Sequence, residues 1–485
     1  MNLTENILRG TIVLSLGEIA VYGLSFARNL ILARILTKTD FGLAAALSVG
    51  ISLLELVGRM AFGKQIIQNR EGNDPRFQSV AHSVQSIVGV ASALLVLASA
   101  YPMAAVFGVP ELAWAFASLA LIPLARGTIH LDLMRLQRQY IFGPGLLMEV
   151  VPQGLATMAA WPLAVWMGDF RAVLWIMLGK ELLTVAMSHL LAERPYKWAW
   201  DMNHVKQMLA FGWPLLFNGF VIFTSQQGDQ MLIGTTFSLA DLGSYSIAFS
   251  LSVVPFFIFG QVASSLMLPM LSRHQDDPGV FQRYYLRCVE LSVLGGLLVL
   301  GPLVVAGEPV VRLLYGPKYS GVGTLMAVFG AIAALRFLRW APAVAAMARA
   351  DTINHLIGNI ARAVSLPLAL LLVALGVRDV VMVALCGMVG EILSILVSVV
   401  RVRMRQGIRL RVHTTAFLFL AGWIMVGATA NRFLGDGSSI WQAGAAVLVL
   451  WSMGAVAASF LFPNLMILYR RTLADLHIPA IFSGR

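Results

Sequence analysis

Charge is scarce in this chain. Of its 485 residues, 12% are Asp, Glu, Lys or Arg, where soluble globular chains carry roughly 25%. That shortage excludes a soluble fold with a charged, solvated shell. Cysteine is scarcer still. The 2 cysteines, Cys288 and Cys386, fall in or beside apolar runs. They form no metal-ligand spacing and support no disulfide framework. Long hydrophilic stretches are missing as well. The longest connections run to about sixteen residues, too short to bury a core of their own. A catalytic domain of glycosyltransferase or kinase type therefore has no room. The chain has no Walker phosphate loop, no HExxH, no GxSxG and no kinase signature. Its Gly-x-Gly spacings lie inside apolar runs, where they serve helix packing. No enzyme activity, cofactor or metal is expected.

Apolar residues are abundant. They make up 58% of the chain, and the mean hydropathy is +0.79. A bilayer core takes about twenty mostly apolar residues per helix, a length this chain repeats many times. Spans are expected at 10–33, 40–63, 80–107, 111–130, 143–167, 169–192, 208–234, 240–268, 285–306, 320–342, 353–376, 378–400, 412–432 and 439–462. The alternation of a transmembrane β-barrel is absent. The fold class is all-α and polytopic, with about fourteen transmembrane helices. The first apolar run is too long for a signal sequence and is expected to be an uncleaved helix.

The formal net charge of +11 sits mostly in alternate loops, so membrane topology explains it better than nucleic acid does. Loops 64–79, 131–142, 193–207, 269–284 and 401–411 carry the basic residues, with Arg470, Arg471 and Arg485 on the same side. The split is roughly twenty against seven, which places both termini in the cytoplasm of a multi-pass inner-membrane protein. The stretch 464–485 reads as a surface amphipathic helix or a solvated tail.

One passage occurs twice. Asp40-Phe41-Gly42 follows the first span, and Asp241-Leu242-Gly243 occupies the same place after the seventh. In span 1, Glu18, Tyr22, Ser25 and Asn29 fall on one helical stripe; in span 7, Asn218, Ile222, Ser225 and Asp229 repeat that spacing. Such faces avoid lipid, because unpaired polar groups are costly in hydrocarbon. Two six-helix bundles are therefore expected, related by a parallel pseudo-repeat around a central cavity. Residues 1–200 and 201–402 form the halves, and 403–485 add a helix pair and tail.

Ionisable groups inside spans are the candidates for function. They are Glu18, Arg28, Glu55, Arg59, Glu149, Lys180, Glu181, Asp229, Arg336, Arg339, Arg362 and Glu391. Each has a plainer reading. Arg28, Arg59 and Arg339 lie near span ends, where snorkelling to headgroups is the alternative. Glu55 and Arg59 are four apart on one helix face. Lys180 and Glu181 are adjacent and point apart, so each needs its own partner. Arg362 and Glu391 sit mid-span in neighbouring helices and suit a structural pair. His82, His130 and His355 read as interfacial. The functional alternative is a basic cavity. Arginine forks suit phosphate oxygens, while Glu18, Tyr22, Asn29, Asn218 and Gln226 suit sugar hydroxyls.

The stretch Arg28 to Leu43, RNLILARILTKTDFGL, resembles the N-terminal pattern of the polysaccharide transporter family, the Wzx-type oligosaccharide flippases. Arg28, Arg34, Leu36, Thr37, Asp40, Phe41 and Gly42 carry the match, joined by SLADLGSYSIA and LLYGPKY further on. These belong to the multidrug/oligosaccharidyl-lipid/polysaccharide exporter superfamily. The resemblance implies translocation of undecaprenyl-diphosphate-linked oligosaccharide for exopolysaccharide, capsule or O-antigen, by alternating access. It implies a lipid-linked substrate, surrounding membrane lipids, and a polysaccharide polymerase and export machinery as partners. The candidate cavity set is Glu18, Tyr22, Ser25, Arg28, Asn29, Glu55, Arg59, Asn218, Ser225, Asp229, Arg362 and Glu391. The alternatives are a cation-coupled multidrug exporter and a peptidoglycan lipid-precursor flippase. A membrane-embedded polymerase or ligase is disfavoured, because the sparsely basic loops are too short for a catalytic site.

Overall fold

The computed structural model describes residues 3–54, 62–351, 353–408, 411–435 and 438–462. Side chains are described from residue 16 onward, except at 214, 215, 218, 261–266 and 411. Among the described residues every regular element is helical. Eleven helices among those residues are long and apolar enough to cross a membrane by length and composition. Contacts divide the chain into Met1–Ile247 and Ala248–Arg485.

The first unit runs through α1 (Leu3–Ile35), α2 (Lys38–Leu54), α3 (Phe62–Gln68), α4 (Pro75–Val106), α5 (Ala113–Ser118) and α6 (Leu121–Arg126). It continues with α7 (Asp132–Arg138), α8 (Gly143–Met167), α9 (Arg171–Leu190), α10 (Met202–Thr236) and the start of α11 (Leu239–Ser272). Two of the long helices, α4 and α10, begin where an aspartate satisfies free backbone donors. Asp74 accepts from Arg76 N at 3.0 Å, and Asp201 from Asn203 N at 2.9 Å. Such caps are worth about 1 kcal/mol each. The expected span 111–130 is not one helix. It divides into α5 and α6, each of 6 residues. Pro123 has no N–H to continue the ladder, and α6 ends at Gly127.

The duplicated corner is one structure used twice. Thr37 Oγ1 accepts from Asp40 N at 3.1 Å and donates to Asp40 Oδ2 at 2.5 Å. Ser238 Oγ accepts from Asp241 N at 3.1 Å and donates to Asp241 Oδ2 at 2.6 Å. Hydroxyl and carboxylate thus cap α2 and α11 in the same way. The corners also touch. A Cβ built on Gly42 would overlap the Leu239 carbonyl oxygen, and one on Gly243 would lie 2.5 Å from the Lys38 carbonyl oxygen. Only glycine lets the two helix starts approach so closely.

The second unit holds the rest of α11, then α12 (Pro278–Leu300), α13 (Gly307–Tyr315), α14 (Gly323–Ala348), α15 (Ile353–Ala363) and α16 (Ser365–Ala374). It closes with α17 (Val380–Gln406), α18 (Arg411–Leu434) and α19 (Ile440–Leu461). Its core helix is α14, which packs on α12, α15, α17 and α18. Nearly all of α14 is buried, including Arg336 in its middle. A helix covered all round normally carries no charge, so its arginines must meet partners within the unit. The expected span 40–63 runs into residues outside the described set, and the stretch 464–485 lies outside it.

Candidate functional site

On α1, Glu18 is exposed, while Tyr22, Ser25, Arg28 and Asn29 are half-buried. The Arg28 guanidinium donates to Ser25 Oγ at 3.4 Å and feels the charge of Glu181. Glu149 on α8 feels both Glu18 and Lys180. Packing of α1 on α8, α8 on α9 and α6 on α9 gathers these groups.

The firmest link is Arg126 to Glu181. The guanidinium donates through Nε at 2.8 Å and through its terminal amide nitrogen at 2.9 Å, a two-pronged grip. Lys180 Nζ also reaches Glu181 Oε1 at 3.2 Å. This corrects the expectation that the adjacent Lys180 and Glu181 would point apart. A four-carbon stem bends back easily, and Arg126 already anchors the carboxylate.

On α10, Ser225 Oγ donates to the Ile222 carbonyl at 3.0 Å. Asp229 accepts from its neighbour's backbone, Gln230 N, at 2.9 Å and from the buried Tyr245 hydroxyl of α11. Asp229 is thus a tie between two helices. Glu55 and Arg59 lie outside the described residues, as does the side chain of Asn218.

The second unit holds the densest charge. Glu391 on α17 is fully buried. Arg336 Nε lies 3.1 Å from its Oε2, Arg339 Nε 3.2 Å from Oε1, and Arg362 Nε 3.6 Å from Oε2. Arg339 also donates to Asn359 Oδ1 and Ser394 Oγ, both at 3.3 Å. Gly390 permits the approach of α15, since a Cβ there would lie 2.5 Å from the Arg362 carbonyl oxygen. The expected Arg362–Glu391 association is present, but Arg336 and Arg339 hold the carboxylate more closely. The snorkelling alternative for Arg339 is overturned, because α14 is enclosed and its arginine turns inward to Glu391. One signal could have found this set. Arg126–Glu181 and Arg336–Glu391 share a separation of 55 residues.

Of the three histidines read as interfacial, His355 is exposed while the other two are enclosed. His82 and His130 are buried and meet ring to ring at 4.9 Å, with Tyr196 stacked on His82 at 4.1 Å. Leu131 N donates to His82 Nε2 at 3.1 Å, so that nitrogen carries no proton. Beside them Asp132 accepts from Arg135 Nε at 2.6 Å and from Glu193 N at 2.9 Å. Burial pushes the Asp132 carboxyl up, but the Arg135 guanidinium and the Glu193 and Arg194 amides outweigh it and hold the group at about 2. The folded value lies below the ordinary one. The network therefore contributes stability above about pH 4, and loses it as pH falls toward 2. Asp132→Asn is expected to cost about 2 kcal/mol at neutral pH and to abolish that acid limb, read as unfolding midpoint against pH.

The sequence matches the family of polysaccharide biosynthesis proteins over residues 31–324. Amylovoran biosynthesis protein AmsL of Erwinia amylovora is 30% identical over 107 residues, 21% of this chain and 28% of that protein. Succinoglycan biosynthesis transport protein ExoT of Rhizobium meliloti (strain 1021) is 22% identical over 318 residues, 63% of this chain and 62% of that protein. Less than two thirds of either relative's length is thus spanned. Among solved structures, the lipid II flippase MurJ in an inward closed conformation superposes with a TM-score of 0.69 at 13% identity, covering 94% of this chain and 100% of that one. That likeness shows the fold. With more than half of its length matched to the family model, the chain belongs to the polysaccharide biosynthesis protein family.

Proposed function

We propose that this protein is a flippase. It moves undecaprenyl-diphosphate-linked oligosaccharide repeat units across the inner membrane for exopolysaccharide, capsule or O-antigen assembly. The observation that carries this reading is the family match over residues 31–324. The names of ExoT and AmsL, which concern succinoglycan transport and amylovoran biosynthesis, support a polysaccharide cargo. The cluster of Arg336, Arg339 and Arg362 around Glu391 suits a phosphorylated cargo better than a lipophilic cation. Both termini are assigned to the cytoplasm. Residues 1–200 and 201–402 are taken as the rocking halves, with 403–485 as the added pair. Glu18, Tyr22, Ser25, Arg28, Asn29, Asn218 and Ser225 are taken as lining the path, and a polymerase and export machinery as partners. The headgroup crosses the membrane while the lipid tail stays in the bilayer.

A clean deletion tests the reading. Surface polymer is expected to be lost, with lipid-linked repeat units trapped on the cytoplasmic face. The intact gene restores export; Arg28→Glu, at wild-type protein levels, does not. Normal polymer with new sensitivity to cationic drugs would move the assignment to the drug exporters. Lethality of the deletion would move it to a peptidoglycan-precursor flippase, a reading that the MurJ-like fold keeps open.

A further inference from the structure

The outward face of α4 changes character along its length. Ile87, Val90, Leu94, Leu97 and Tyr101 are exposed and fall on one helical stripe. In a membrane protein such a stripe faces lipid. Counted back by threes and fours, the same stripe continues through Ser86, Ser83, Ser79 and Arg76. The apolar side chains thus stop at Ile87, and the rest of the stripe is polar.

That polar part is covered by the connection between α9 and α10, in the same unit. The Tyr196 hydroxyl shares a hydrogen bond with Ser86 Oγ at 3.2 Å, and Ala199 N donates to Ser83 Oγ at 3.1 Å. Arg76 meets Asp201 at 3.3 Å. His82 Nδ1 carries the proton of its ring and donates it to the Lys197 carbonyl at 3.2 Å. The connection therefore lies along α4 as a strap, running in the opposite direction.

Its depth follows from the length of the helix. α4 has 32 residues, whereas a hydrocarbon layer about 30 Å thick takes only about twenty. An exposed aromatic such as Tyr101 marks a membrane boundary. About twenty residues back from it lies Ala81, next to His82. The strap thus sits where the lipid-facing stripe ends, at the other boundary. Non-helical backbone is tolerated there because α4 satisfies its polar groups.

The strap has two faces. Arg194, Tyr196, Ala199 and Asp201 are half-buried, while Lys197, Trp198 and Trp200 are exposed. Trp198 shows 71% of its surface and Trp200 54%. Indole is the ring that suits the boundary between acyl chain and headgroup, with an apolar body and one N–H donor. A lysine at the same level holds its ammonium toward the phosphates.

We propose that Lys197, Trp198 and Trp200 form a lipid-binding surface that takes an anionic phospholipid headgroup. The lipid belongs to the leaflet on the side of loop 193–207. The indole rings enter the acyl boundary, and the Lys197 ammonium pairs with the headgroup. The strap leads straight into α10, which begins at Met202. Headgroup binding therefore ties the start of α10, as well as α4, to the membrane surface.

The test uses full-length protein in nanodiscs of phosphatidylcholine mixed with phosphatidylglycerol. The emission lost in the Trp198→Phe/Trp200→Phe double variant isolates the signal of those two rings. That signal is expected to be quenched by a nitroxide placed near the lipid headgroup, more than by one at mid-chain or by iodide in the water. Labelled phosphatidylglycerol should reach half of its effect at a lower fraction than labelled phosphatidylcholine. Lys197→Gln is expected to raise that fraction for phosphatidylglycerol about fivefold. Lys197→Arg should leave it unchanged, and added salt should raise it in wild type. These substitutions touch exposed side chains and leave the bonds of the strap to α4 in place, so misfolding mimics neither result. Quenching by iodide and not by the nitroxide lipids would overturn the surface and leave the strap open to a soluble partner. Equal effect of the two lipids in wild type, or no change in Lys197→Gln, would overturn the anionic headgroup.

Discussion

Gly42→Ala should unfold the first unit or keep the protein from accumulating. The added Cβ would overlap the Leu239 carbonyl oxygen, with Gly243 N 3.1 Å away. Both are backbone atoms, so no flexible side chain can yield. Overpacking a tight core costs about 1–3 kcal/mol, occasionally more, and here two capped helix starts must separate. The expected loss is about 3 kcal/mol or greater. The comparison is Gly23→Ala in α1, where a Cβ meets nothing within 4 Å. That change should be neutral, or stabilising by about 1 kcal/mol through helix propensity. Unfolding midpoints of the two purified variants check the pair. If Gly42→Ala melts like Gly23→Ala, the corner contact is not a close one.

Glu391→Ala should be the most damaging single change in the second unit. It leaves three guanidiniums enclosed around no carboxylate. Removing one member of a buried ion pair costs about 3–5 kcal/mol, and mutual repulsion adds to that. Replacing both members of a buried pair by apolar residues is often neutral. Arg336→Met combined with Glu391→Leu should therefore recover part of the lost stability, the rest being withheld because Arg339 and Arg362 stay enclosed without a carboxylate. The partly recovered protein should still fail to export polymer, because Arg339 and Arg362 have lost the carboxylate that orders them. Midpoint and surface polymer, measured on the same strains, separate the structural role from the transport role. A double variant as unstable as Glu391→Ala would mean that the pair is not what α14 and α17 require.

The spans and the duplicated corner were legible because they are local facts. Hydropathy marks the apolar runs, and Thr37 to Asp40 or Ser238 to Asp241 is a cap readable within four residues. What those corners touch was not legible. The meeting of Gly42 with Leu239 depends on a helix crossing that no short window contains. The same limit governs the charges. Periodicity places Arg339 toward one end of an apolar run, and from depth alone snorkelling is reasonable. Enclosure of α14 by α12, α15, α17 and α18 is a tertiary outcome, and it sends Arg339 to Glu391. Arg362 and Glu391 were legible as a pair because both sit mid-span in successive helices. Arg126 was missed because the expected span 111–130 placed it near an end. That run is two short helices, and α6 delivers Arg126 to α9.

The corner contact also speaks to descent. Gly42 meets the carbonyl of Leu239, and Gly243 meets that of Lys38, its counterpart in the other copy. Residue touches partner and partner touches residue, which is how a two-fold axis arranges an interface between identical subunits. A single polypeptide has no need of that reciprocity. A pair of identical ancestral chains, each presenting this glycine to its twin, does. Fusion of the two genes would have preserved the junction while freeing each copy to change.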